Sequence, residues 1–194
     1  METLNLIALW VVIASWACLA AGFLLRKRPP RTTEVRGGTR WAYGVVLQGL
    51  GIAVVWGLSR RLGTPILALG PIPDAVLAGI AITLAPVSVF VMVAAQRTLG
   101  RHWAYEARLI QHHELITSGP YRFVRHPIYT AFAGLTLATA LAKSHWLSLV
   151  LFPPLFVAGT ILRIHSEERL LRGAFGKAWD DYARRVPAAI PFLR

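Results

Sequence analysis

Five long stretches without a charged residue dominate this sequence, and they restrict what the chain can fold into. They comprise residues 4–25, 41–58, 75–95, 128–142 and 146–162, and the first three contain 22, 18 and 21 residues. A helix needs about 20 apolar residues to cross the hydrocarbon core of a bilayer. Because no water is available there, every backbone polar group must be bonded within the protein, so each stretch is predicted to form a helix.

The composition of the chain separates a membrane protein from a soluble one. Hydrophobic residues make up 55% of the sequence and charged residues 15%, whereas a soluble domain carries about 25% charged residues. The fourth and fifth stretches are short and are separated by Lys143-Ser144-His145. A buried hairpin in a soluble domain is the alternative for this pair, but no amphipathic segment remains to cover it.

We therefore predict an all-α membrane protein with five transmembrane helices and one domain that spans residues 1–194. The last two helices are predicted to form an antiparallel hairpin, because the turn between them is short. Pro153-Pro154 is predicted to kink the fifth helix, since proline removes a backbone donor and clashes with the preceding turn.

The distribution of basic residues predicts an orientation. Eighteen of the 21 lysines and arginines lie in residues 26–40, 96–127 and 163–194, on one side of a five-span topology. The positive-inside rule places that side in the cytoplasm, with the N-terminus outside and the C-terminus inside. Because these residues are scattered beside helix ends and do not form one stripe, no nucleic-acid partner is expected.

Most residues able to do chemistry lie in the predicted catalytic half, residues 96–194. Five of the six histidines and six of the nine acids fall in a cytoplasmic loop, 96–127, and a cytoplasmic tail, 163–194. His113-Glu114 does not begin an H-E-x-x-H zinc motif, because the second histidine would fall at Thr117. The single cysteine, Cys18, excludes an intrachain disulfide, and no metal site is predicted.

Two clusters in that half are candidates for a site. The first runs from His113 to Tyr129, where Pro127 suits the first turn of a helix whose N-terminus could receive an anion. Its structural alternative is a polar loop held at the membrane interface by tyrosine and arginine. In the second cluster Arg163 and Glu167 share one helix face, and the alternative there is a simple surface ion pair.

These residues resemble the isoprenylcysteine carboxyl methyltransferase family of integral-membrane enzymes. The resemblance covers roughly residues 90–194, and RHP-x-Tyr alone is shared with related phospholipid and amine methyltransferases. The compact length and the excess of arginine over lysine suggest a prokaryotic member in the cell membrane. The matching pieces are Leu99-Gly100-Arg101-His102-Trp103, Gly119-Pro120-Tyr121-Arg122, Val124-Arg125-His126-Pro127-x-Tyr129, Arg163-x-x-x-Glu167-Glu168 and Val186-Pro187-x-x-Ile190-Pro191.

The resemblance implies S-adenosylmethionine as the methyl donor, with S-adenosylhomocysteine as the product, and a site residue set. It assigns Arg163 to the acceptor carboxylate. Two positions depart from the family pattern, since Glu106 stands where glutamine is common and Trp179 where tyrosine is common. The cofactor-binding residues that it implies are His113, Glu114, Leu115, Ile116, Tyr121, His126, Pro127, Ile128, Tyr129 and Glu167.

Three functions remain open from the sequence. The first is methylation of an isoprenylcysteine or another lipid-linked carboxylate, on a small molecule or a protein C-terminus, with the lipid tail entering from the bilayer. The second is N-methylation of a phospholipid or small amine, which would need a base such as His165 or Glu168. The third is a non-enzymatic membrane protein, which is disfavoured because no ionisable residue lies within a predicted span. The sequence leaves the oligomeric state undetermined.

The topology can be tested with reporter fusions at the two termini. We expect an alkaline phosphatase fused after Arg194 to be inactive, because the enzyme requires export, and a fluorescent protein there to be bright. A tag at Met1 should be accessible from outside intact cells. An active C-terminal phosphatase would contradict the five-span orientation.

Overall fold

Helices form nearly all of the regular structure in the computed structural model, which describes residues 2–24, 35–36, 38–100, 108–109 and 115–189. Two short strands, β1 (Val35–Arg36) and β2 (Arg108–Leu109), pair antiparallel. A 3₁₀ turn spans Gly119–Arg122. The helices are α1 (Glu2–Leu24), α2 (Gly38–Gly57), α3 (Pro71–Leu99), α4 (Pro127–Lys143), α5 (Ser148–Phe175) and α6 (Lys177–Arg185).

The all-helical architecture predicted from the apolar stretches is confirmed, and the β-structure in the described residues consists of the two short strands and an isolated bridge between Ser59 and Ser144. Helices α1, α3 and α5 are long and apolar enough to cross a membrane. Five crossings stay a prediction, because α4 has only 17 residues. Helix α5 continues past its predicted end at Leu162 as far as Phe175, and the short helix α6 was not predicted.

The helices pack in two groups around small side chains. Alanines of α1, α3 and α4, among them Ala8, Ala81, Ala85 and Ala138, form the centre of the larger cluster. Such small residues let helices approach closely where no hydrophobic effect drives them together. Across this cluster the indole N–H of Trp16 in α1 donates to the Thr139 hydroxyl in α4 at 2.9 Å.

Helices α4 and α5 follow each other through a short turn, as predicted, but pack mainly against other helices. Helix α4 lies chiefly against α3, and α5 lies chiefly against α2. Pro153 and Pro154 lie in the second turn of α5, and the helix continues through both.

Glycines allow α2 and α5 to approach each other very closely. A Cβ added at Gly159 would lie 2.6 Å from the Gly44 carbonyl oxygen, and one at Gly44 would lie 2.6 Å from Cγ of Arg163. The small residues of Gly49-Leu50-Gly51 in α2 also predict a packing notch from the sequence. Only Gly51 faces α5, since a Cβ at Gly49 would meet nothing within 4 Å.

At the end of the bundle that is predicted to be external, Arg60 binds the C-terminus of α4. The Arg60 guanidinium donates to the carbonyls of Leu141, Ala142 and Ser144 at 2.8, 3.0 and 2.6 Å, where α4 ends. Burial lowers the pKa of Arg60 to about 10. A cation that binds the last carbonyls of a helix satisfies their bonding capacity and complements the helix dipole.

Large apolar side chains on the outside of the bundle suit a lipid environment. Trp10, Ile72 and Phe90 are 66%, 78% and 73% exposed. Exposed apolar surface on this scale is unusual on a soluble monomer and is typical of a membrane or protein contact.

The glycine contact between α2 and α5 makes a testable prediction about stability. We expect Gly159→Ala to lower the free energy of unfolding of the detergent-solubilised protein by about 1–3 kcal/mol, because the new methyl group would clash with the backbone of α2. Gly49→Ala is the matched control in the same helix pair. It should be neutral or stabilising by up to about 1 kcal/mol, since alanine favours helix more than glycine does. Equal effects of the two substitutions in thermal unfolding would contradict the close contact.

Candidate active site

Residues from three separate segments converge at one end of α4. Arg125 and His126 precede α4, Glu167 and Glu168 lie in the polar part of α5 beyond its apolar stretch, and residues 186–189 follow α6. These segments include described residues of both clusters that the sequence singles out. The fold therefore brings together residues that are about 40 positions apart in the chain.

The turn before α4 depends on a glycine. Gly119 has φ +58°, and a Cβ at this position would lie 2.7 Å from the Thr98 hydroxyl oxygen at the end of α3. Glycine adopts this left-handed conformation without the steric cost that other residues meet. The predicted Ser118-Gly119-Pro120 turn is confirmed as the start of the 3₁₀ turn, which packs against α3.

Helix α4 begins as the sequence predicted, with His126 as its N-cap and Pro127 in its first turn. The amide N–H groups of Arg125 and His126 donate to the carbonyls of Pro187 and Ala188, both at 2.8 Å. The Thr130 hydroxyl also bonds to the Ala189 carbonyl. The C-terminal segment thus lies against the helix start that the sequence predicts as an anion site, and it takes up the backbone donors of Arg125 and His126.

The two adjacent glutamates of α5 share His126 and differ in their other partners. The Tyr129 hydroxyl donates to Glu167, and Nδ1 of His126 lies 3.5 Å from its second carboxylate oxygen. Glu168 lies 3.1 Å from Nε2 of His126 and accepts a bond from Nε of Arg125 at 2.9 Å. His126 therefore joins both carboxylates.

Burial and charge act in opposite directions on the pKa values of His126 and Glu168, which form a pair. Burial by itself would lower the pKa of His126, but hydrogen bonds and the negative charges of Glu167 and Glu168 raise it above the ordinary value. Burial would raise the pKa of Glu168, whereas His126 and Arg125 bring it below the ordinary value. Each partner thus favours the charged form of the other.

Arg125 connects this pair to the C-terminal segment. Its guanidinium lies 2.8 Å from Glu168 and donates to the carbonyl of Ala183 at 2.9 Å and to that of Val186. The neighbouring Tyr182 donates its hydroxyl to the Tyr121 carbonyl at 2.7 Å. Burial raises the pKa of Tyr182 to about 12, so the hydroxyl stays protonated and keeps donating at neutral pH.

Arg163 lies apart from the glutamates, in a buried setting between α2, α4 and α5. Its Nη1 donates to the side-chain oxygen of Gln48 at 2.7 Å. The guanidinium carbon lies 4.7 Å from the ring centre of Tyr129 and 5.1 Å from that of Trp41, which is within cation–π range. With an exposure of 8%, Arg163 does not form the exposed surface ion pair that was its structural alternative.

The structure brings together four of the residues predicted for the site. Tyr129 contacts Arg163 through its ring and Glu167 through its hydroxyl, and His126 stacks on Tyr129 with ring centres 5.8 Å apart. Pro127 is buried, and Ile128 packs against the apolar core. Tyr121 is buried in the 3₁₀ turn, and Leu115 and Ile116 precede that turn. His113 and Glu114 lie outside the described residues.

Sequence reasoning missed several residues of this region. Gln48 was available as the only amide side chain in the apolar stretch 41–58. Arg125 belongs to a quoted motif but received no role, and no local signal pointed to residues 186–189 as partners of α4. His165 and Glu168 had been the candidate bases for an amine acceptor, yet His165 is exposed and Glu168 is bound to Arg125 and His126.

Within the described part of the chain, no group of three or more histidine, cysteine, aspartate or glutamate residues could hold a metal ion. The departure at Trp179 is a packing feature, because this side chain is 1% exposed and its ring contacts Tyr182 edge-on. Glu106, the other departure, lies outside the described residues.

Comparison with known proteins gives one family and several curated relatives. The profile of the phospholipid methyltransferase family matches residues 76–178. Protein-S-isoprenylcysteine O-methyltransferase B of Arabidopsis thaliana is 33% identical over 98 residues, which cover 50% of each chain. Protein-S-isoprenylcysteine O-methyltransferase of Schizosaccharomyces pombe is 35% identical over 81 residues, 42% of this chain and 34% of the relative.

A bacterial relative has a different name. The nickel-cobalt-cadmium resistance protein NccN of Alcaligenes xylosoxydans xylosoxydans is 36% identical over 117 residues, 58% of this chain and 53% of the relative. The chain thus spans about half the length, or less, of the curated relatives that it matches.

The pKa shifts predict how the stability of the ligand-free protein depends on pH. Because the pKa of His126 is raised in the folded protein, its protonated form stabilises the fold at pH values below the ordinary pKa of 6.5. This contribution is lost as the pH rises through the raised pKa. Because the pKa of Glu168 is lowered in the folded protein, its ionised form stabilises the fold at pH values above the ordinary pKa of 4.5. This contribution is lost as the pH falls through the lowered pKa. The pair therefore stabilises most between these two ordinary values.

We expect the difference in Tm between the wild type and His126→Gln to be largest at pH 5–6. At pH values above the raised pKa of His126, this Tm difference should be smaller by about 2–4 °C, which corresponds to about 1 kcal/mol of lost stabilisation. The exposed His165→Gln is the control and should show a small difference at every pH. A difference for His126→Gln that grows with rising pH would contradict the charged pair.

Proposed function

Because the chain belongs to the phospholipid methyltransferase family, we propose that it is an S-adenosylmethionine-dependent carboxyl methyltransferase. Its acceptor in this proposal is an isoprenylcysteine or a similar lipid-linked carboxylate, at the cytoplasmic surface of the membrane. The names of the matched isoprenylcysteine methyltransferases support this acceptor class.

The observation that carries the proposal is the buried Arg163 beside Tyr129, whose hydroxyl bonds to Glu167. A guanidinium attracts a carboxylate and can bind both of its oxygens through parallel N–H bonds. In a partly dehydrated setting the same charge disfavours a protonated amine, since charge interactions strengthen as the effective dielectric constant falls. The contact from Gln48 adds no negative charge, because an amide is neutral.

The chemistry of the neighbouring donors fits the methyl donor. Glu167 offers a half-buried carboxylate for an ammonium group, and its hydrogen-bond partner Tyr129 is an uncharged hydroxyl that a cation can replace. The further residues proposed to hold the donor are His113, Glu114, Leu115, Ile116, Tyr121, Pro127 and Ile128. The bound donor supplies an electrophilic methyl group on a sulfonium.

The residues of this chain would act by binding and orientation and would not need to remove a proton. A terminal carboxyl has a pKa of about 3.5, so the acceptor is already ionised at neutral pH. Arg163 would orient the acceptor carboxylate, and Tyr129, which contacts both Arg163 and Glu167, would set the distance between the two ligands. Holding two reactants in line accounts for a large share of the rate enhancement in such reactions.

The location of the site supports a lipid-linked acceptor. Arg163 directly follows the apolar stretch of α5, and the side chains at Val157 and Ile161 in the preceding turns are 53% and 47% exposed. A lipid tail could therefore remain in the bilayer while its polar end reaches Arg163. The high density of basic residues at this end of the bundle supports a cytoplasmic orientation.

Purified protein, tritiated S-adenosylmethionine and N-acetyl-S-farnesylcysteine test this proposal directly, with phosphatidylethanolamine as the competing acceptor. We expect transfer to the farnesylcysteine and a rate that stays nearly flat from pH 6 to 8, because an ionised carboxylate loses no proton. A rate that rises steeply with pH, together with transfer to phosphatidylethanolamine, would instead indicate an N-methyltransferase.

Two substitutions separate the roles of the acceptor and donor sides. Arg163→Lys keeps the charge but loses the planar pair of donors, and it should lower kcat/KM about tenfold to a hundredfold with little change in donor affinity. Glu167→Gln should weaken donor binding in calorimetry. The exposed Arg169→Lys is the control and should leave both quantities unchanged. Wild-type kcat/KM in Arg163→Lys would contradict the assignment of the carboxylate to this residue.

A further inference from the structure

A buried chain of hydrogen bonds links α2 to Arg163 on α5. Gln48, which is 2% exposed, accepts a bond from Nη1 of Arg163 at 2.7 Å through its side-chain oxygen. Its amide nitrogen donates to the Thr160 hydroxyl, also at 2.7 Å. Thr160 and Arg163 lie on adjacent positions of the same α5 surface, so Gln48 is bonded to α5 at two points.

The chemistry of the three groups fixes the orientation of the amide. Arginine has donors and no acceptor, so only the oxygen of Gln48 can face it. The amide nitrogen must then point to the Thr160 hydroxyl, which can accept. Because both the oxygen and the nitrogen of the Gln48 amide are bonded, the amide has a single orientation. In this orientation it holds one nitrogen of the Arg163 guanidinium in place.

Three positions on one face of α2 hold Arg163. Trp41, Gly44 and Gln48 are spaced i, i+3 and i+7, which places them on the same side of a helix. The Trp41 ring lies 5.1 Å from the guanidinium carbon. Gly44 leaves room for the stem of Arg163, because a Cβ there would lie 2.6 Å from its Cγ. The face of α2 therefore restrains the stem, the plane and one nitrogen of the same side chain.

We propose that Gln48 is a positioning residue that holds the guanidinium of Arg163 in the orientation needed to bind the acceptor carboxylate. This inference rests on the proposed carboxyl methyltransferase function. Gln48 would act through Arg163 and would not contact the reacting atoms. Because it is neutral, it orients the guanidinium without competing for its charge.

The residues of the proposed site lie partly inside and partly outside the region that matches the family profile. Gln48, Gly44 and Trp41 lie outside residues 76–178, which match the family profile, whereas Tyr129 and Glu167 lie within them. Arg163 also lies within the profile, so acceptor recognition would depend on that part of the chain together with α2, which lies outside it.

The test compares acceptor KM, kcat and donor affinity for Gln48→Glu and Gln48→Met, with N-acetyl-S-farnesylcysteine as the acceptor. Gln48→Glu places a carboxylate on Arg163 that competes with the acceptor, and we expect KM to rise about tenfold or more, as for loss of a charge-assisted bond. Gln48→Met leaves the guanidinium less restrained, and KM should rise a few-fold. Donor affinity in calorimetry should stay within about twofold of the wild type in both variants.

A purely structural role for Gln48 would give a different pattern. It would reduce thermal stability and the active fraction, and so lower the apparent kcat, with KM unchanged. Val46→Met on α2 is the matched control, because Val46 is 58% exposed. It should leave KM, kcat and donor affinity unchanged.

Thr160→Val keeps the proposal testable if the Gln48 variants do not fold. It removes the group that orients the amide and leaves Arg163 and the residues of α2 unchanged, and KM should rise about twofold to threefold. The effects of Thr160→Val and Gln48→Met should not add, because both act through the same amide.

The possible failures can be told apart. If the wild type is active and the acceptor KM is unchanged in Gln48→Glu and Gln48→Met, only this inference is overturned. If those two variants do not fold, an unchanged KM in Thr160→Val has the same meaning. A wild type that binds the donor but transfers nothing to N-acetyl-S-farnesylcysteine contradicts the proposed function, and the positioning role falls with it.

Discussion

The close approach of α2 and α5 is the constraint on which the candidate site depends. Gly44 and Gly159 bring the two backbones so near that any other residue at either position would meet a carbonyl oxygen of the opposite helix. At this distance the side chains of Trp41 and Gln48 reach Arg163, and the guanidinium can be buried with a bonded partner. A buried charge is tolerated only where such partners replace the water that it loses.

A second set of contacts assembles the other side of the site around His126. This residue caps α4, bonds to both glutamates of α5 and is itself held by the segment after α6. Arg125 ties the same segment to Glu168. The start of α4, the polar end of α5 and the C-terminal segment therefore stabilise one another, and a change in the protonation of His126 affects all three.

Tyr129 is the point where the two sides meet, since its ring contacts Arg163 and its hydroxyl contacts Glu167. The arrangement suits a reaction between two ligands of opposite polarity that must be aligned. The profile of the phospholipid methyltransferase family covers residues 76–178. The glutamates and His126 lie within the profile, while part of the environment of Arg163 comes from α2.

The sequence by itself determined the helical fold class, the positions of five long helices and the Pro127 start of α4. These features are local: apolar length fixes the helices because backbone groups cannot remain unpaired in lipid, and proline suits a first turn. The motifs also predicted that His126, Tyr129, Arg163 and Glu167 share one site, and the structure brings these four side chains together. Their spacing in the chain, however, carries no information about which of them touch.

Only the tertiary structure decided the partners. Arg163 and Glu167 are one helical turn apart, yet one binds Gln48 on α2 and the other binds Tyr129 on α4. Gln48 was recognisable as a lone amide in an apolar stretch, but its partner depends on how two helices cross. The glycine notch was misplaced at Gly49 for the same reason, and the donors before α4 are bonded to residues about 60 positions away. Such contacts arise from helix packing, which local sequence does not specify.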